Sequence, residues 1–207
     1  SLSVRAIRKM VRCSEDRRIR PGRTCLEAGR LSMAYADDLL EQARALAAAD
    51  PHRPKQANVR RAVSAAYYAL FHEVVEKSAA SVLAGAESSS LIGSRVRRTV
   101  QHNSALKAAK WFAGAASMPV AIQRMRTPQQ VVLNPDFARF CQTFAELQED
   151  RHRADYDLTS PFSRAEANRR ISDASAAIDT LRALPPKGDV LIFLLGCLLG
   201  DSMTRNA

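Results

Sequence analysis

The sequence has little of what builds turn-rich, stapled or metal-bound folds: its 207 residues include 8 glycines, 9 prolines and 4 cysteines. It contains no Gly-rich phosphate loop, no nucleophile elbow and no His/Glu pair at the helical spacing of a metal site. The cysteines lie far apart, without a C-x-x-C pair, at Cys13, Cys25, Cys141 and Cys197. Neither a zinc site nor a disulfide framework is predicted, and we expect no metal and no cofactor.

Long hydrophobic runs are also missing. The one apolar run, residues 190–200, falls well short of the ~20 residues that cross a bilayer. We therefore expect no membrane span there, but a terminal helix packed on the rest of the protein or on a partner. No apolar run follows the charges near the N-terminus, so no signal peptide is predicted. Together with the scattered cysteines, this favours a cytoplasmic protein.

The positive charge is unevenly distributed along the chain. The formal net charge is +10, and residues 1–25 supply +6 of it, because they hold eight lysines and arginines against two acidic residues. Such an extension suits RNA or another polyanion, but it is equally typical of a disordered, solvated tail. We divide the chain into this basic extension, a folded domain at residues 26–186 and an apolar C-terminal segment at residues 187–207.

The pattern of apolar residues predicts helices throughout. No stretch alternates with the period of a strand, whereas steps of three and four recur near residues 28–46, 55–83, 102–113, 135–147 and 163–184. Asn134 before Pro135 predicts one helix start, and Ser163 with Glu166 forms the capping box of another. We expect a loop at residues 85–93, a short basic segment after it and irregular chain at residues 114–133. The predicted architecture is an all-α, antiparallel bundle of about five helices.

The helix near residues 55–83 has two apolar faces. The first comprises Val59, Val63, Tyr67, Leu70 and Val74, and the second comprises Tyr68, Phe71 and Val75. A small bundle needs only one face for its own core, so this helix is predicted to be central or to lie at a dimer seam, and we predict a homodimer. His72 follows Tyr68 by one turn, so the two side chains can hydrogen-bond or jointly line a cleft.

The segment ELQEDRHRADYDL, residues 146–158, gathers charge, a histidine and a tyrosine. An apolar stripe precedes it at helical steps: Phe137, Phe140, Phe144 and Leu147. Arg151 stands four positions further and is predicted to face inward, with Asp155 and Tyr156 in reach. Two interpretations remain open. One is a buried ion pair that holds the helix end, and the other is an arginine and a phenol presented at a groove for phosphate or RNA.

Further basic residues are candidates for phosphate contacts, namely Arg95, Arg97, Arg98 and Arg153. Arg95 and Arg97 also precede His102 at six and four intervening residues, but chance produces such spacings in an arginine-rich chain. A basic solvated turn is the simpler interpretation there. His152 lies between two arginines, and because neighbours diverge by ~100° on a helix, we do not expect it to share the groove of Arg151.

Two motifs resemble the HEPN superfamily, in its branch of small bacterial proteins. They are RRAVSAAYYALFH at residues 60–72 and RHRADY at residues 151–156, and the resemblance extends over roughly residues 31–184. It implies a helical bundle that pairs into dimers and, for many members, a metal-independent ribonuclease. The family signature is an arginine, four to six residues, then a histidine. Arg151 matches the arginine, whereas Tyr156 occupies a position where the signature has histidine.

The resemblance also implies site residues and a partner. Arg151 and Tyr156 form the implied catalytic group, with Asp155 orienting the arginine and His72 a weaker member. Similar proteins are often encoded beside a nucleotidyltransferase as toxin–antitoxin pairs. We therefore expect binding of RNA or nucleotide, with cleavage of RNA left open. One alternative is an interaction subunit that neutralises a nucleotidyltransferase or is modified by it at Tyr156, and another is a helical scaffold.

Overall fold

A computed structural model describes residues 25–83, 90–114, 118–126 and 133–204, with the side chains of the first helix from residue 35 onward. The predicted all-α architecture is confirmed, because these residues form helices and no strand. The helices are α1 (Cys25–Ala48), α2 (Gln56–Val82), α3 (Leu91–Thr99), α4 (His102–Phe112), α5 (Val120–Met125), α6 (Pro135–Tyr156), α7 (Arg164–Ala183) and α8 (Asp189–Leu199). Residues 1–24 of the predicted basic extension lie outside the described residues.

Local sequence signals set the starts of α6 and α7. The Asn134 side chain accepts hydrogen bonds from the backbone N–H groups of Asp136 and Phe137, at 2.9 and 3.2 Å. Ser163 and Glu166 form the reciprocal capping box, each side chain satisfying the other residue's backbone N–H. Both predicted helix starts are confirmed. The Asn134 cap fixes the start of α6, the helix that carries Arg151, and the capping box fixes the start of the next helix.

Two short helices occur where the sequence predicted none. Residues 91–99 form α3, whose Ser90 cap accepts a hydrogen bond from the N–H of Gly93, so the basic segment is helical rather than a solvated turn. The six-residue helix α5 lies within the region predicted to be irregular. Fewer than two turns cannot display a helical period, so pattern reasoning has no means of detecting α5.

The helix α2 is the centre of the bundle. It packs against α1, α6, α7 and α8, and both of its apolar faces are buried within the monomer. Val63 and Tyr67 on the first face are fully buried, and Phe71 and Val75 on the second are only 6% and 7% exposed. The predicted central position is confirmed. α1 and the later helices cover most of both faces, although Tyr68 on the second face stays partly exposed, so this helix no longer supports the homodimer, which stays a prediction.

The apolar C-terminal segment forms α8, the predicted terminal helix packed on the bundle. Phe193, Leu194 and Cys197 are fully buried. A Cβ atom added at Gly196 would lie 3.1 Å from the Cβ of Ala108, so this glycine permits close approach of α8 to α4. Among the described helices, none is by itself long and apolar enough to span a membrane, and α7 with residues 188–203 meets those criteria only as a pair bent by 112°.

Candidate nucleic-acid site

The apolar stripe of α6 carries Arg151 into the bundle, as its spacing predicts. The four stripe residues are at most 1% exposed: Phe137, Phe140, Phe144 and Leu147. Arg151 continues this face where the helix approaches the surface, and 21% of its side chain remains accessible to solvent. The guanidinium is therefore largely enclosed, yet one side of it stays open to a ligand.

Two tyrosine side chains lie beside the Arg151 guanidinium. Its Nη2 donates to the hydroxyl oxygen of Tyr68 at 2.6 Å, and its carbon lies 5.4 Å from the Tyr68 ring centroid. The ring of Tyr156 lies on another side at 5.7 Å, with 66% of that residue exposed. Nη1 has no hydrogen bond to any described residue. The tyrosine rings thus flank a cation that keeps unused N–H donors.

The predicted pair of Arg151 with Asp155 is confirmed. Arg151 Nε lies 2.9 Å from Asp155 Oδ2, although the angle is not that of a hydrogen bond, so charge attraction joins the two groups. Asp155 also accepts a hydrogen bond from the Ser64 hydroxyl at 2.6 Å. Burial by itself lowers the pKa of Arg151, but the Tyr68 hydrogen bond and the Asp155 charge outweigh it and raise that pKa. Arg151 is a permanent cation.

A histidine from α4 joins this cluster. His102 Nδ1 lies 2.7 Å from the Tyr67 hydroxyl, and the His102 ring stacks on Phe71 with centroids 3.9 Å apart. The Tyr67 hydroxyl also donates to Gln148 Oε1 at 3.2 Å. His102 had been interpreted as the end of a solvated basic turn, and that interpretation is wrong. It is half-buried at the start of α4, against two aromatic rings of α2.

Burial is the main cause that lowers the pKa of both histidines of this region, so both are neutral at pH 7. The pKa of His102 is lowered by burial first, then by the charges of Arg151 and His72. Burial also lowers the pKa of His72, with a partial offset from Glu76. The pKa of Tyr67 is raised, mainly by burial. A neutral imidazole can accept a proton, so both rings are candidates for base chemistry.

His72 and Tyr68 jointly line a cleft, one of the two arrangements predicted for them. The cleft is a cavity of about 340 Å³ between α1 and α2. The Tyr35 ring forms the opposite wall and meets the His72 ring edge to face, with centroids 4.9 Å apart. Tyr68 separates this cavity from Arg151, because its ring is in the cavity wall and its hydroxyl accepts from the guanidinium.

The other predicted phosphate-binding arginines lie on α3 and α6. Arg97 pairs with Glu76 at 2.8 Å, and Arg153 pairs with Asp150 at 3.1 Å while packing over a phenylalanine ring. Arg95 and Arg98 are exposed on α3. The structure therefore spreads these four charges over two helices and gives two of them structural partners.

His152, which is not expected to share the groove of Arg151, is exposed and lies next to another residue of the candidate site. Its ring packs against that of Tyr156, with centroids 4.9 Å apart. Within the described residues, no group of three or more His, Cys, Asp or Glu side chains could hold a metal ion. The polar groups gathered around Arg151 are phenols, imidazoles and one carboxylate.

Sequence reasoning named Arg151, Asp155, Tyr156 and His72 as candidates, and it did not predict that His102 packs against Tyr67 and Phe71. The available signal was the aromatic set of α2, in which Tyr67, Tyr68, Phe71 and His72 occupy one broad stripe. Such a stripe must pack against side chains of another helix, but the sequence does not show that this helix is α4. No family model matches the chain, and comparisons with curated proteins and with solved structures returned no match.

Proposed function

We propose that the chain is a HEPN-like protein that binds RNA through its phosphates, with Arg151 as the principal phosphate ligand. The observation that carries this proposal is the state of the guanidinium. It is permanently charged, flanked by the rings of Tyr68 and Tyr156, and free of a hydrogen bond at Nη1 among the described residues. A guanidinium presents a planar fork that matches a phosphate, and aromatic faces beside it suit unstacked bases.

The competing structural role of Arg151 uses only part of the side chain. Asp155 takes the Nε side at 2.9 Å and Tyr68 takes Nη2 at 2.6 Å. Nη1 is not among the buried side-chain atoms without a partner, so this edge of the guanidinium meets solvent, which a ligand can replace. The exposed Tyr156 phenol lies beside the same guanidinium.

RNA cleavage without a metal is the reaction this proposal includes. The 2′-hydroxyl oxygen attacks the adjacent phosphorus and the P–O5′ bond breaks, which gives a 2′,3′-cyclic phosphate and a 5′-hydroxyl. His102 takes the 2′-hydroxyl proton, and solvent returns a proton to O5′. To act as the base, His102 needs the tautomer in which Nδ1–H donates to the Tyr67 hydroxyl and Nε2 keeps its lone pair, and the 2.7 Å contact between Nδ1 and that hydroxyl is compatible with it. Arg151 offsets the charge that develops on the phosphate.

The test measures RNA affinity and cleavage in EDTA for three variants. Arg151→Gln is expected to weaken binding about tenfold and to lower the slope of log affinity against log salt by about one, because one phosphate contact is lost. His102→Gln is expected to retain binding and abolish cleavage. Tyr156→Phe removes only the hydroxyl, so its cleavage rate tests whether the phenol has replaced the histidine of the family signature. Arg44→Gln is the matched control, since it removes an exposed charge of α1 that does not line the cavity.

Two results would contradict the proposal. One is equal RNA affinity in the wild type and in folded Arg151→Gln. The other is complete loss of affinity on deleting residues 1–24, which would make the basic extension the binder. A folded His102→Gln variant that cleaves RNA as fast as the wild type would leave the binding proposal standing and remove His102 from the reaction.

A second candidate function is that of an interaction subunit modified by a nucleotidyltransferase. The specific observation in its favour is the Tyr156 phenol, which is 66% exposed at the end of α6, beside the Arg151 guanidinium. The phenol oxygen would attack the α-phosphorus of a nucleoside triphosphate bound by the transferase, pyrophosphate would leave and the phenol proton would pass to solvent, while the neighbouring arginine stabilises the transferred phosphate. The intact mass of the protein isolated from its own cells tests this. The expected nucleotidyl adduct would disappear in Tyr156→Phe, and an unmodified wild type would contradict it.

A further inference from the structure

The cavity between α1 and α2 is lined by one positively charged side chain and by no negatively charged one. Its lining holds Arg61 and no carboxylate, together with three hydrogen-bonding or aromatic side chains from α2: Ser64, Tyr68 and His72. From α1 come Tyr35 and Gln42, with two leucines at the floor. A cavity lined in this way favours an anionic or electron-rich occupant over a cationic one.

Arg61 has no partner among the described residues. It is exposed, and it makes no hydrogen bond and no ion pair there. The preceding residue provides the contrast, because Arg60 is 8% exposed and donates to four backbone carbonyl oxygens. Arg61 is thus a cation at the cavity wall whose donors are not used by the fold.

The size and the walls of the cavity suit one planar ring system. Its volume of about 340 Å³ is near the lower end of small-molecule sites, roughly 300–1,000 Å³, so it accommodates a single nucleotide unit rather than a length of strand. Tyr35 is 49% exposed and offers a ring face for stacking. The exposed Gln42 amide offers a donor and an acceptor side by side, the pattern that pairs with the N6 and N7 edge of adenine.

The cavity adjoins the Arg151 site through shared side chains. Tyr68 lines the cavity and accepts from Arg151, and Ser64 lines it and donates to Asp155. A nucleotide whose base lies in the cavity would have its phosphate beside Arg61 at the cavity wall, and Arg151 lies on the other side of Tyr68. The subsite proposed below requires the strand to continue past Tyr68, so that a neighbouring phosphate binds Arg151.

We propose that this cavity is a nucleobase subsite, with adenine the base that Gln42 fits best, for an RNA strand whose phosphates bind Arg61 and Arg151. This inference rests on the proposed RNA-binding function. Tyr35 supplies the stacking face, Gln42 the contact to the base edge and Arg61 the phosphate contact. These residues act in binding and are distinct from the Arg151 and His102 pair proposed for cleavage.

The experiment measures affinity with short RNAs that carry adenine or cytosine at one position. Stacking is measured separately, by fluorescence quenching of 2-aminopurine at that position, which keeps the purine ring but lacks the 6-amino group that Gln42 would contact. Tyr35→Leu is expected to reduce quenching and to weaken binding about tenfold, the effect of one lost base stack, while Tyr35→Phe keeps both. Gln42→Ala is expected to reduce the preference for adenine over cytosine at that position, and Arg61→Gln to weaken both sequences equally. Arg44→Gln is the matched control, and thermal melts confirm that each variant is folded.

The outcomes separate this inference from the function on which it rests. If Arg151→Gln weakens RNA binding but folded Tyr35→Leu and Gln42→Ala bind like the wild type, the subsite is refuted and the proposed function stands. If the wild type does not bind RNA, the proposed function fails. In that case, adenosine monophosphate binding that Tyr35→Leu weakens would support the cavity as a mononucleotide site, and no such binding would refute it as well.

Discussion

Arg151 has two neighbours of opposite kind, a carboxylate on its Nε side and a phenol on its Nη2 side. Asp155 balances its charge, whereas Tyr68 uses one donor without neutralising it. The ion pair of the first interpretation is present, and a groove for phosphate or RNA stays a prediction. About a fifth of each charged side chain is exposed, 21% for Arg151 and 18% for Asp155, which places the pair between a buried and a surface ion pair.

The first prediction concerns the stability of this pair. Arg151→Ala is expected to lower the free energy of unfolding by about 3 kcal/mol, the low end for loss of one buried partner, because the Asp155 carboxylate would keep only its bond from Ser64. Urea unfolding measures it. Adding Asp155→Asn to the same chain is expected to restore part of the loss. A change below about 1 kcal/mol would show that the pair behaves as a surface one.

The second prediction concerns pH. His72 and His102 have lowered pKa values in the folded protein, so the unfolded chain, with histidine near 6.5, binds protons first as the pH falls. Their contribution to stability is thus present above pH 6.5 and is lost as the pH falls through their folded pKa values. The melting temperature should decrease between pH 7.5 and 5.5, and the double variant His72→Gln/His102→Gln should show a smaller decrease.

The control for the pH experiment is His52→Gln, an exposed histidine in the turn between α1 and α2. This variant should retain the decrease of the wild type. The charged groups that act on the two cluster histidines are Arg151 and His72 for His102, and Glu76 for His72. A melting temperature that does not change over the same range would contradict the assignment of buried, neutral imidazoles.

At the scale of elements, α2 holds the ends of two other helices through cations on its sides. Arg60 donates to the carbonyl oxygens of Arg153, Ala154, Asp157 and Ser160 at the end of α6. Lys77 donates to those of Leu181, Arg182 and Leu184 at the end of α7. The last carbonyls of a helix lack partners within it, so cations there satisfy them and complement the helix dipole.

The third prediction tests this arrangement with two neighbouring residues. Arg60→Ala is expected to destabilise the protein by about 2–3 kcal/mol, because buried carbonyl oxygens lose a charged donor. Arg61→Ala removes the same side chain one position later, where the fold makes no use of it, and should change stability by less than about 0.5 kcal/mol. Urea unfolding compares the two. Equal losses would mean that Arg61 also has a structural role.

Arg60 also bears on the functional site, because it fixes the end of the helix that carries Arg151 and Tyr156. Loss of the cap is expected to fray the last turn of α6, where Asp155 and Tyr156 lie. Hydrogen exchange of residues 151–156 in Arg60→Ala would show this local opening, whereas Arg61→Ala should retain the protection of the wild type.

At the scale of the whole molecule, the homodimer stays a prediction, but its support changes. The central helix uses both apolar faces inside the monomer. The end of α6 instead exposes Tyr156 at 66% and Leu158 at 82%. Large apolar side chains grouped at one end of a molecule favour an interaction surface.

The fourth prediction is that the protein is a dimer in solution and that Leu158, just after α6, lies in the contact while the Tyr156 ring stays accessible beside it. Light scattering at micromolar concentration should give twice the mass of the chain, and Leu158→Asp should give a monomer, since a charge would be buried at the interface. Leu91→Asp, at an exposed leucine of α3, is the control and should leave the dimer intact. A wild type that is strictly monomeric would contradict the prediction.

The sequence by itself determined the helical class, the starts of α6 and α7, the central position of α2 and the inward direction of Arg151. These are local properties, because capping bonds and apolar periods involve residues within a few positions of one another. Asp155 as the partner of Arg151 belongs to the same group, since one turn of helix separates them. Even the charge of α3 was visible, although its helical form was not.

Only the tertiary structure decided which side chains from different helices meet. His102 contacts Tyr67 because α4 packs close to α2, and Arg151 contacts Tyr68 because α6 packs across α2. The cavity beside Tyr68 exists because α1 covers α2 incompletely there. Such contacts depend on packing between distant segments, for which the chain carries no fixed spacing. The helical period of a sequence predicts which way a side chain faces. Only the packing of the helices determines which side chains it contacts.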